Sequence, residues 1–205
     1  MKEKLMRNSL LLAALAMMAY LTRTLRLPLS GWTPTGTEDG VGPLTVRQYW
    51  VDVEQTRQPG PALVGDVFQR LPTVFSSVLA VFHPARRTET PTGPGDIFTI
   101  LMFGLRRGRI RVAEVAPDHF LLQTLRQHPE SGTTEFRLDP LPDRVSGFRI
   151  SIVSRMRSSS WIDRAGYLTG VGILQRLTWE TVLRRALRLS GGRKVSHGAS
   201  THEWP

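Results

Sequence analysis

The spacing of apolar and polar residues changes within the stretch 147–189. At its start, Ile150 and Ile152 alternate with polar residues, the period of two that is typical of a strand with one face against a core. After Ser160, apolar residues recur at steps of three and four as far as Ala186, which is the spacing of an amphipathic helix. The pattern therefore predicts a strand that leads into a C-terminal helix of about 28 residues, or about 42 Å.

The preceding patterns predict a strand, two short helices and a series of further strands. Aromatic and β-branched residues at 45–55 are typical of a strand, and apolar spacing at 62–82 predicts two short amphipathic helices joined at Pro72. Short alternating runs between tight turns then predict antiparallel strands at 86–90, 96–103, 109–115, 119–126, 134–138 and 148–153. This order predicts an α+β fold, in which a curved antiparallel sheet of six to seven strands wraps around the C-terminal helix.

Both ends of the chain carry an excess of basic residues. The 205 residues have a formal net charge of +10 and no cysteine, so disulfides and thiol catalysis are excluded. Residues 1–30 hold five bases and one acid, and residues 176–205 hold six bases and two acids, whereas the middle is nearly neutral. Nucleic-acid binders spread bases over a groove-facing surface, so no nucleic-acid partner is predicted. Basic ends fit an anionic membrane surface better.

Residues 1–29 contain an uninterrupted apolar run, Leu10–Leu21, between Arg7 and Arg23. As a helix the run spans about 18 Å, which is short against about 30 Å of bilayer hydrocarbon. Three interpretations remain open: an uncleaved helix in or on a membrane, a cleaved signal peptide of an exported protein, and a helix docked on a cytoplasmic domain. Bases directly after the run oppose export, so membrane association through the uncleaved N-terminal helix is the prediction.

Two other segments have compositions that are typical of irregular structure. Residues 30–43 are rich in proline and glycine, which predicts a linker or an extended arm. Residues 190–205 contain only Val195 and Trp204 as larger apolar groups, which predicts a disordered basic tail. The folded domain is therefore predicted to span 44–189.

Local motifs in this domain resemble a known family. The segment from Gln123 to Leu138 reads QTLRQHPESGTTEFRL, the strand from Gly147 to Arg155 reads GFRISIVSR, and Leu174-Gln175-Arg176 lies in the helix. The arrangement is similar to the lipocalin-like, START-like family called domain of unknown function nineteen-ninety. That family has a Gly-His-Pro-Glu-Ser-Gly turn before a Glu-x-Phe strand, but Gln127 replaces its first glycine here. The resemblance implies the helix-grip fold of START and Bet v one-like (SRPBCC) domains and no particular activity.

The sequence offers little that is typical of catalysis. The three histidines within 44–189 are scattered, and there is no H-E-x-x-H, G-x-S-x-G or P-loop motif, so neither a metal nor a cofactor is predicted. His128 and Glu130 are the best catalytic candidates, because an imidazole beside a carboxylate can shuttle a proton. The alternative is that their turn only shapes a hairpin.

A helix-grip domain implies a cavity between the sheet and the helix, and we predict that it binds a hydrophobic small molecule or lipid. Arg155 either binds an anionic head group there or faces outward and pairs with an acid such as Glu135. Three glycines within the helix indicate close packing on the sheet, space for a ligand, or a break. The predicted ligand-binding residues are Phe98, Ile100, Met102, Phe120, Leu122, Phe148, Ile150, Ile152, Arg155, Trp161, Gly166, Gly170 and Gly172.

Two alternatives to ligand binding remain. A cyclase- or hydrolase-like enzyme would use the same cavity, with polar side chains converging inside it. A structural or partner-binding domain would instead fill the cavity with its own side chains. The sequence does not decide the oligomeric state.

Overall fold

A computed structural model describes residues 31–85, 93–103, 106–142 and 147–205. Its strands form one antiparallel eight-stranded sheet in the order β2-β3-β4-β5-β6-β7-β1-β8. They span β1 Val41–Glu54, β2 Ala80–Pro84, β3 Ile97–Met102, β4 Arg106–Val115, β5 His119–Thr124, β6 Glu130–Pro140, β7 Phe148–Ser158 and β8 Arg193–Trp204. The helices are α1 Gly60–Gln69, α2 Leu71–Phe75, α3 Trp161–Gly166 and α4 Gly172–Ser190, with a π-helical turn at Tyr167–Val171 between the last two.

The helices pack on the sheet around a core of aromatic side chains. The rings of Phe120 and Phe136 stack with centroids 5.1 Å apart, and Phe75 of α2 contacts both of them. Trp179 of α4 lies edge-on to Phe75 with 6.0 Å between the centroids, and Val182 of the same helix belongs to the same core. The α+β class and the helix-grip arrangement predicted from the sequence are therefore confirmed.

The helical region after β1 is shorter than the sequence predicts. α2 ends at Phe75, and residues 80–84 form β2, which pairs with β3. Ser76 accounts for the change: its backbone is extended, and its hydroxyl accepts a hydrogen bond from the amide of Phe82 at 2.8 Å. The prediction of a helix as far as 82 is wrong, and the predicted strand at 86–90 lies outside the described residues.

The C-terminal tail is a strand, so the prediction of disorder at 190–205 is wrong. β8 pairs with β1 from Leu44 opposite Trp204 to Glu54 opposite Arg193. Most of its side chains are exposed, and the strand is held by backbone hydrogen bonds that a hydrophobic pattern does not reveal. Ser196 adds a side-chain bond of 2.6 Å to Asp52. The sheet therefore has eight strands, against the six to seven predicted.

The chain before β1 is also ordered against the domain. Pro34 forms a bridge with Leu125, the amide of Thr35 bonds the carbonyl of Thr124 at 2.9 Å, and a 3-10 turn follows at Thr37–Asp39. Of the two alternatives for this segment, the linker is therefore wrong for 31–43. The predicted N-terminal helix at 1–29 lies outside the described residues. Among the residues that are described, no helix combines the length and the apolar character needed to cross a membrane.

The C-terminal helix runs from Trp161 to Ser190, as predicted, but it is interrupted. Gly170 has φ of 130°, a conformation that side-chain-bearing residues rarely adopt, and it kinks the helix within the π-helical turn. Ser160 caps the start by accepting a hydrogen bond from the amide of Asp163 at 3.1 Å. Gly191 ends the helix in the left-handed conformation with φ of 63°.

Candidate functional site

A cavity of about 340 Å³ lies between the sheet and the segment 162–179. Strands β2 to β7 all contribute to its walls, mostly with apolar side chains such as Phe82, Ile110 and Met156. The helical side contributes Ile162, Tyr167, Val171, Leu174, Thr178 and Trp179. The location is the one that the helix-grip architecture predicts.

The predicted ligand-binding residues divide into three groups. Ile100, Met102, Leu122 and Gly166 line the cavity, and so do His128 and Glu130. A second group is buried in the core and does not line the cavity: Phe98, Phe120, Phe148, Ile150 and Ile152.

The third group lies on the surface or is turned away from the cavity. The side chain of Trp161 is 69% exposed. Arg155 is exposed and pairs with Glu135 at 3.4 Å, the outward alternative of the two that the sequence left open. Gly170 and Gly172 do not line the cavity either.

The three helix glycines have separate structural reasons. A Cβ at Gly166 or Gly170 would meet no atom within 4 Å, so neither glycine is pressed by the sheet. Gly170 permits the kink through its positive φ. A Cβ at Gly172 would come within 2.7 Å of the ring of Tyr167, so this glycine makes room for that ring. Close packing on the sheet is therefore not the reason for the cluster.

A buried polar triad joins three elements at one end of the cavity. Nη1 of Arg47 on β1 donates to Oε1 of Glu130 on β6 at 2.9 Å and to Oε1 of Gln175 on α4 at 2.9 Å. Nε2 of Gln175 donates to the other oxygen of Glu130 at 2.7 Å, and the guanidinium lies 4.3 Å from the ring centroid of Tyr167. The two carboxylate oxygens of Glu130 are therefore both engaged.

The charge on Arg47 is maintained although the side chain is buried. Burial by itself lowers the pKa of Arg47, but Glu130 and the adjacent tyrosines more than offset it, and the net pKa is raised. Burial also raises the pKa of Tyr49, on the same strand, to about 12. Arg47 therefore stays charged beside the neutral phenol of Tyr49 at physiological pH.

His128 is buried and lines the cavity. Its Nδ1 lies 2.9 Å from the carbonyl oxygen of Glu130 and 3.1 Å from the amide nitrogen of the same residue. Its Cδ2 edge packs on the backbone of Gly108, where a Cβ would overlap the ring. Burial lowers the pKa of His128, which favours the neutral imidazole. Its Nε2 has no hydrogen-bond partner in the part of the chain that the structure describes.

A second ion pair lies in the wall of the cavity, where β4 meets α3. Nη2 of Arg106, at the start of β4, lies 3.4 Å from Oδ1 of Asp163 on α3, and both residues line the cavity. Asp163 also accepts a hydrogen bond of 2.6 Å from the hydroxyl of Ser160. The polar groups of the cavity thus gather where α3 meets the starts of β4 and β6.

Sequence reasoning missed Arg47 and Gln175, although one signal was present. Thr45, Arg47, Tyr49 and Val51 occupy alternate positions of β1, and all four are buried. The period of two therefore places Arg47 on the core face, where a charge requires a partner. Which carboxylate supplies it depends on pairings between distant strands, and no local pattern gives that answer.

Comparisons with known proteins give similar structures and no similar sequence. No family model and no curated protein sequence matches the chain. The protein CV1439 from Chromobacterium violaceum is 16% identical with a TM-score of 0.43, over 69% of this chain and 96% of that one. The di-domain ARO/CYC StfQ of the steffimycin biosynthetic pathway is 14% identical with a TM-score of 0.49, and the match covers 76% of this chain and 52% of that one. Ara h 8.0201 is 9% identical with a TM-score of 0.36, over 70% of this chain and 99% of that one. These are likenesses of fold alone.

Proposed function

We propose that this protein binds a hydrophobic small molecule or lipid between its sheet and its C-terminal helix. One observation carries the proposal: a cavity of about 340 Å³ with mainly apolar walls lies at that place. Apolar pockets of a few hundred Å³ or more, with a small number of polar groups, are the usual ligand sites of proteins.

The polar groups indicate what kind of molecule fits. Nε2 of the neutral His128 is available to one hydrogen bond, and the charged groups of Arg47 and Glu130 are already matched to each other. A ligand with an apolar body and one uncharged polar group, such as a hydroxyl or a carbonyl, satisfies the imidazole without an unpaired buried charge. The proposed ligand class is therefore amphipathic and uncharged.

The enzyme alternative has less support from the site. The predicted proton shuttle needs a carboxylate that is free to exchange a proton with the imidazole beside it. Both oxygens of Glu130 are held by Arg47 and Gln175, so the carboxylate is not free to work with His128 as a proton shuttle. We therefore propose binding without assigning a reaction.

Membrane association and family membership are further parts of the proposal. The apolar run Leu10–Leu21 supports an N-terminal membrane anchor, since bases flank it on both sides. The turn at 128–132 and the Ser154-Arg155 strand end support membership of the family called domain of unknown function nineteen-ninety. The support for the membrane anchor and for the family membership comes from the sequence alone.

Two matched glycine variants test ligand binding. Gly166 and Gly65 both lie in helices with nothing within 4 Å of an added Cβ, but only Gly166 lines the cavity. Leucine improves helix propensity at either site by up to about 1 kcal/mol. We expect Gly166→Leu to reduce binding of the apolar fluorescent probe N-phenylnaphthylamine, and Gly65→Leu to leave it unchanged. Equal probe binding by both variants would contradict the proposal.

Native mass spectrometry of the full-length protein provides the second test. A co-purifying molecule of lipid mass supports the proposal, and we expect Gly166→Leu to reduce its occupancy relative to Gly65→Leu. Occupancy that is identical in the two variants would place the bound molecule outside the cavity.

A further inference from the structure

The helical segment beside the cavity carries a row of exposed apolar side chains. Ile162, Leu168 and Ile173 are 59%, 68% and 68% exposed, and Trp161 and Val171 lie beside them in the chain. We call these five residues the apolar ridge. Ile162 and Val171 also line the cavity, so the ridge and the helical wall of the cavity share residues. Exposed apolar groups that lie together mark a contact surface rather than ordinary solvent-facing surface.

Two further exposed tryptophans lie at the same end of the sheet. Trp204 is 49% exposed and pairs with Leu44 at the start of β1, where Gly42 lies close to the ring of Trp161. Trp32 is 55% exposed and precedes the bridge between Pro34 and the end of β5. The start of β1, the end of β7, the start of β6 and the end of β5 are successive neighbours in the sheet. All three rings therefore mark one end of the domain.

Each tryptophan has an arginine beside it. The guanidinium of Arg109 lies 4.3 Å from the ring centroid of Trp32. Arg157 donates to the carbonyl of Pro205, next to Trp204, at 3.4 Å. Arg164 lies with Trp161 against Gly42. Tryptophan together with arginine is the combination that proteins place at the boundary between lipid and water.

The charges at this end leave arginines available to anions. Within the described ranges, Arg126 and Arg157 have no salt-bridge partner, whereas Arg109 lies over Trp32 with two guanidinium nitrogens buried. The acids there are Glu130, Asp163 and Glu203, which are paired with Arg47, Arg106 and Arg164, and Glu38 and Asp39 on the 3-10 turn. Unpaired arginines around exposed tryptophans match the negative surface of an anionic bilayer.

The path of the chain leads to the same end. Gly31 lies against Arg126, directly beyond the end of β5. The apolar run ends at Leu21, ten residues earlier, and ten residues span at most about 36 Å. A membrane-inserted run therefore holds this end of the domain, rather than the opposite end, near the lipid.

We propose that the apolar ridge, together with Trp32 and Trp204, lies on the surface of an anionic lipid bilayer, so that the cavity opens toward the lipid. The surface is separate from the proposed N-terminal anchor. It also does not require a bound ligand, and the ligand-binding proposal can therefore fail while this one holds.

The test uses the full-length protein on vesicles of phosphatidylcholine mixed with phosphatidylserine, prepared with and without brominated acyl chains. Bromine quenches tryptophans that touch the lipid. We expect quenching of the wild-type emission, and we expect the triple variant Trp32→Phe/Trp161→Phe/Trp204→Phe to lose most of the quenched signal. Because the anchor holds every variant on the vesicle, the quenching reports contact by this face and not binding alone.

A charged pair of substitutions then tests the ridge. We expect Leu168→Glu/Ile173→Glu to lose most of the quenching of Trp161 and Trp204. The matched control, Val115→Glu/Val195→Glu, alters exposed valines towards the opposite ends of β4 and β8, and we expect it to keep the quenching. Unchanged melting temperatures and probe binding in both variants show that fold and cavity are intact.

Three results would overturn the proposal. The first is equal quenching in the ridge and control variants. The second is quenching that survives in the triple variant Trp32→Phe/Trp161→Phe/Trp204→Phe, because the two remaining tryptophans, Trp50 and Trp179, are not part of the proposed surface. The third is a wild-type dimer in solution that only the ridge variant converts to a monomer, because the ridge then contacts a second copy of the chain. Equal quenching on vesicles of phosphatidylcholine alone would overturn the role of the anionic surface.

Discussion

The guanidinium of Arg47 and the carboxylate of Glu130 lie 2.9 Å apart in a pair that is nearly withdrawn from solvent. Arg47 is on β1 and Glu130 is at the start of β6, and β7 separates the two strands in the sheet. Gln175 of the C-terminal helix bonds both residues. The pair therefore fixes the position of the helix over the sheet at the polar end of the cavity.

Removal of one member of this pair is expected to destabilise the fold. Arg47→Leu leaves the carboxylate of Glu130 buried without its cation, which costs typically about 3–5 kcal/mol. Urea unfolding measures the loss. We expect the double variant Arg47→Leu/Glu130→Leu to recover part of it, because no unpaired charge remains.

The exposed pair of Arg155 and Glu135 provides the control. The side chain of Arg155 is 50% exposed, and we expect Arg155→Leu to change the free energy of unfolding by less than about 1 kcal/mol. A similar cost for Arg47→Leu and Arg155→Leu would contradict the role of the buried pair.

The contact between Gly108 and His128 gives a second prediction. An added methyl at 108 overlaps the imidazole, so we expect Gly108→Ala to destabilise the protein by about 1–3 kcal/mol. His128→Ala removes the atoms that the new methyl would overlap. We therefore expect the double variant Gly108→Ala/His128→Ala to lose less free energy of unfolding than the two single variants lose in sum. Gly65→Ala meets no neighbouring atom and serves as the control, with a small gain expected. An additive double-mutant cycle would be evidence against the contact.

The dependence of stability on pH gives a third prediction. Burial lowers the pKa of His128 in the folded protein, so below about pH 6.5 the unfolded chain binds more protons at this residue than the folded one. Stability from this group is therefore complete above its unfolded pKa and is lost as the pH falls toward the folded pKa. We expect His128→Gln to lose less stability than the wild type between about pH 7 and pH 5 in urea unfolding.

His119 is the control for that measurement, because its contribution to stability changes with pH in the opposite direction. The hydrogen bond that His119 donates to the carboxylate of Asp118 raises the pKa of His119, so its contribution is present at low pH and is lost as the pH rises through the folded pKa. His119→Gln should steepen the loss of stability on acidification. The same response from both variants would show that burial of His128 is not the cause.

Deletion of β8 gives a fourth prediction. Truncation after Gly192 removes a strand that pairs along β1 and exposes the hydrogen-bonding edge of β1 to solvent. We expect the melting temperature to fall by several degrees, since each kcal/mol corresponds to about 2–4 °C in a protein of this size. Ser196→Ala, which removes only the bond to Asp52, should have a much smaller effect. If the truncated protein had the same melting temperature as the wild type, β8 would add no stability.

Local hydrophobic patterns were sufficient to predict most of the strands and helices that bury one face in the core. Ile150 and Ile152 alternate along β7 and are fully buried, and the apolar stripe of the C-terminal helix places Val182 and Ala186 in the core. Burial of apolar area depends on the period of the sequence, and so the strands, the helix and the α+β class could be predicted. The region of the cavity followed from the same reasoning, since a long helix has to cover the sheet.

The remaining features depend on residues that are distant in the chain. The partner of Arg47, the paired tail at β8 and the orientation of Arg155 are all set by which strands become neighbours. Backbone pairing is indifferent to side-chain identity, so a polar tail such as 193–204 carries no local signal of a strand. The kink at Gly170 was one of three open alternatives, because a helix glycine has the same appearance in the sequence whether it packs closely, leaves space or adopts a positive φ. The sequence by itself thus determined the elements and their buried faces, and the tertiary structure alone decided the polar contacts, since these require pairings that only the folded chain creates.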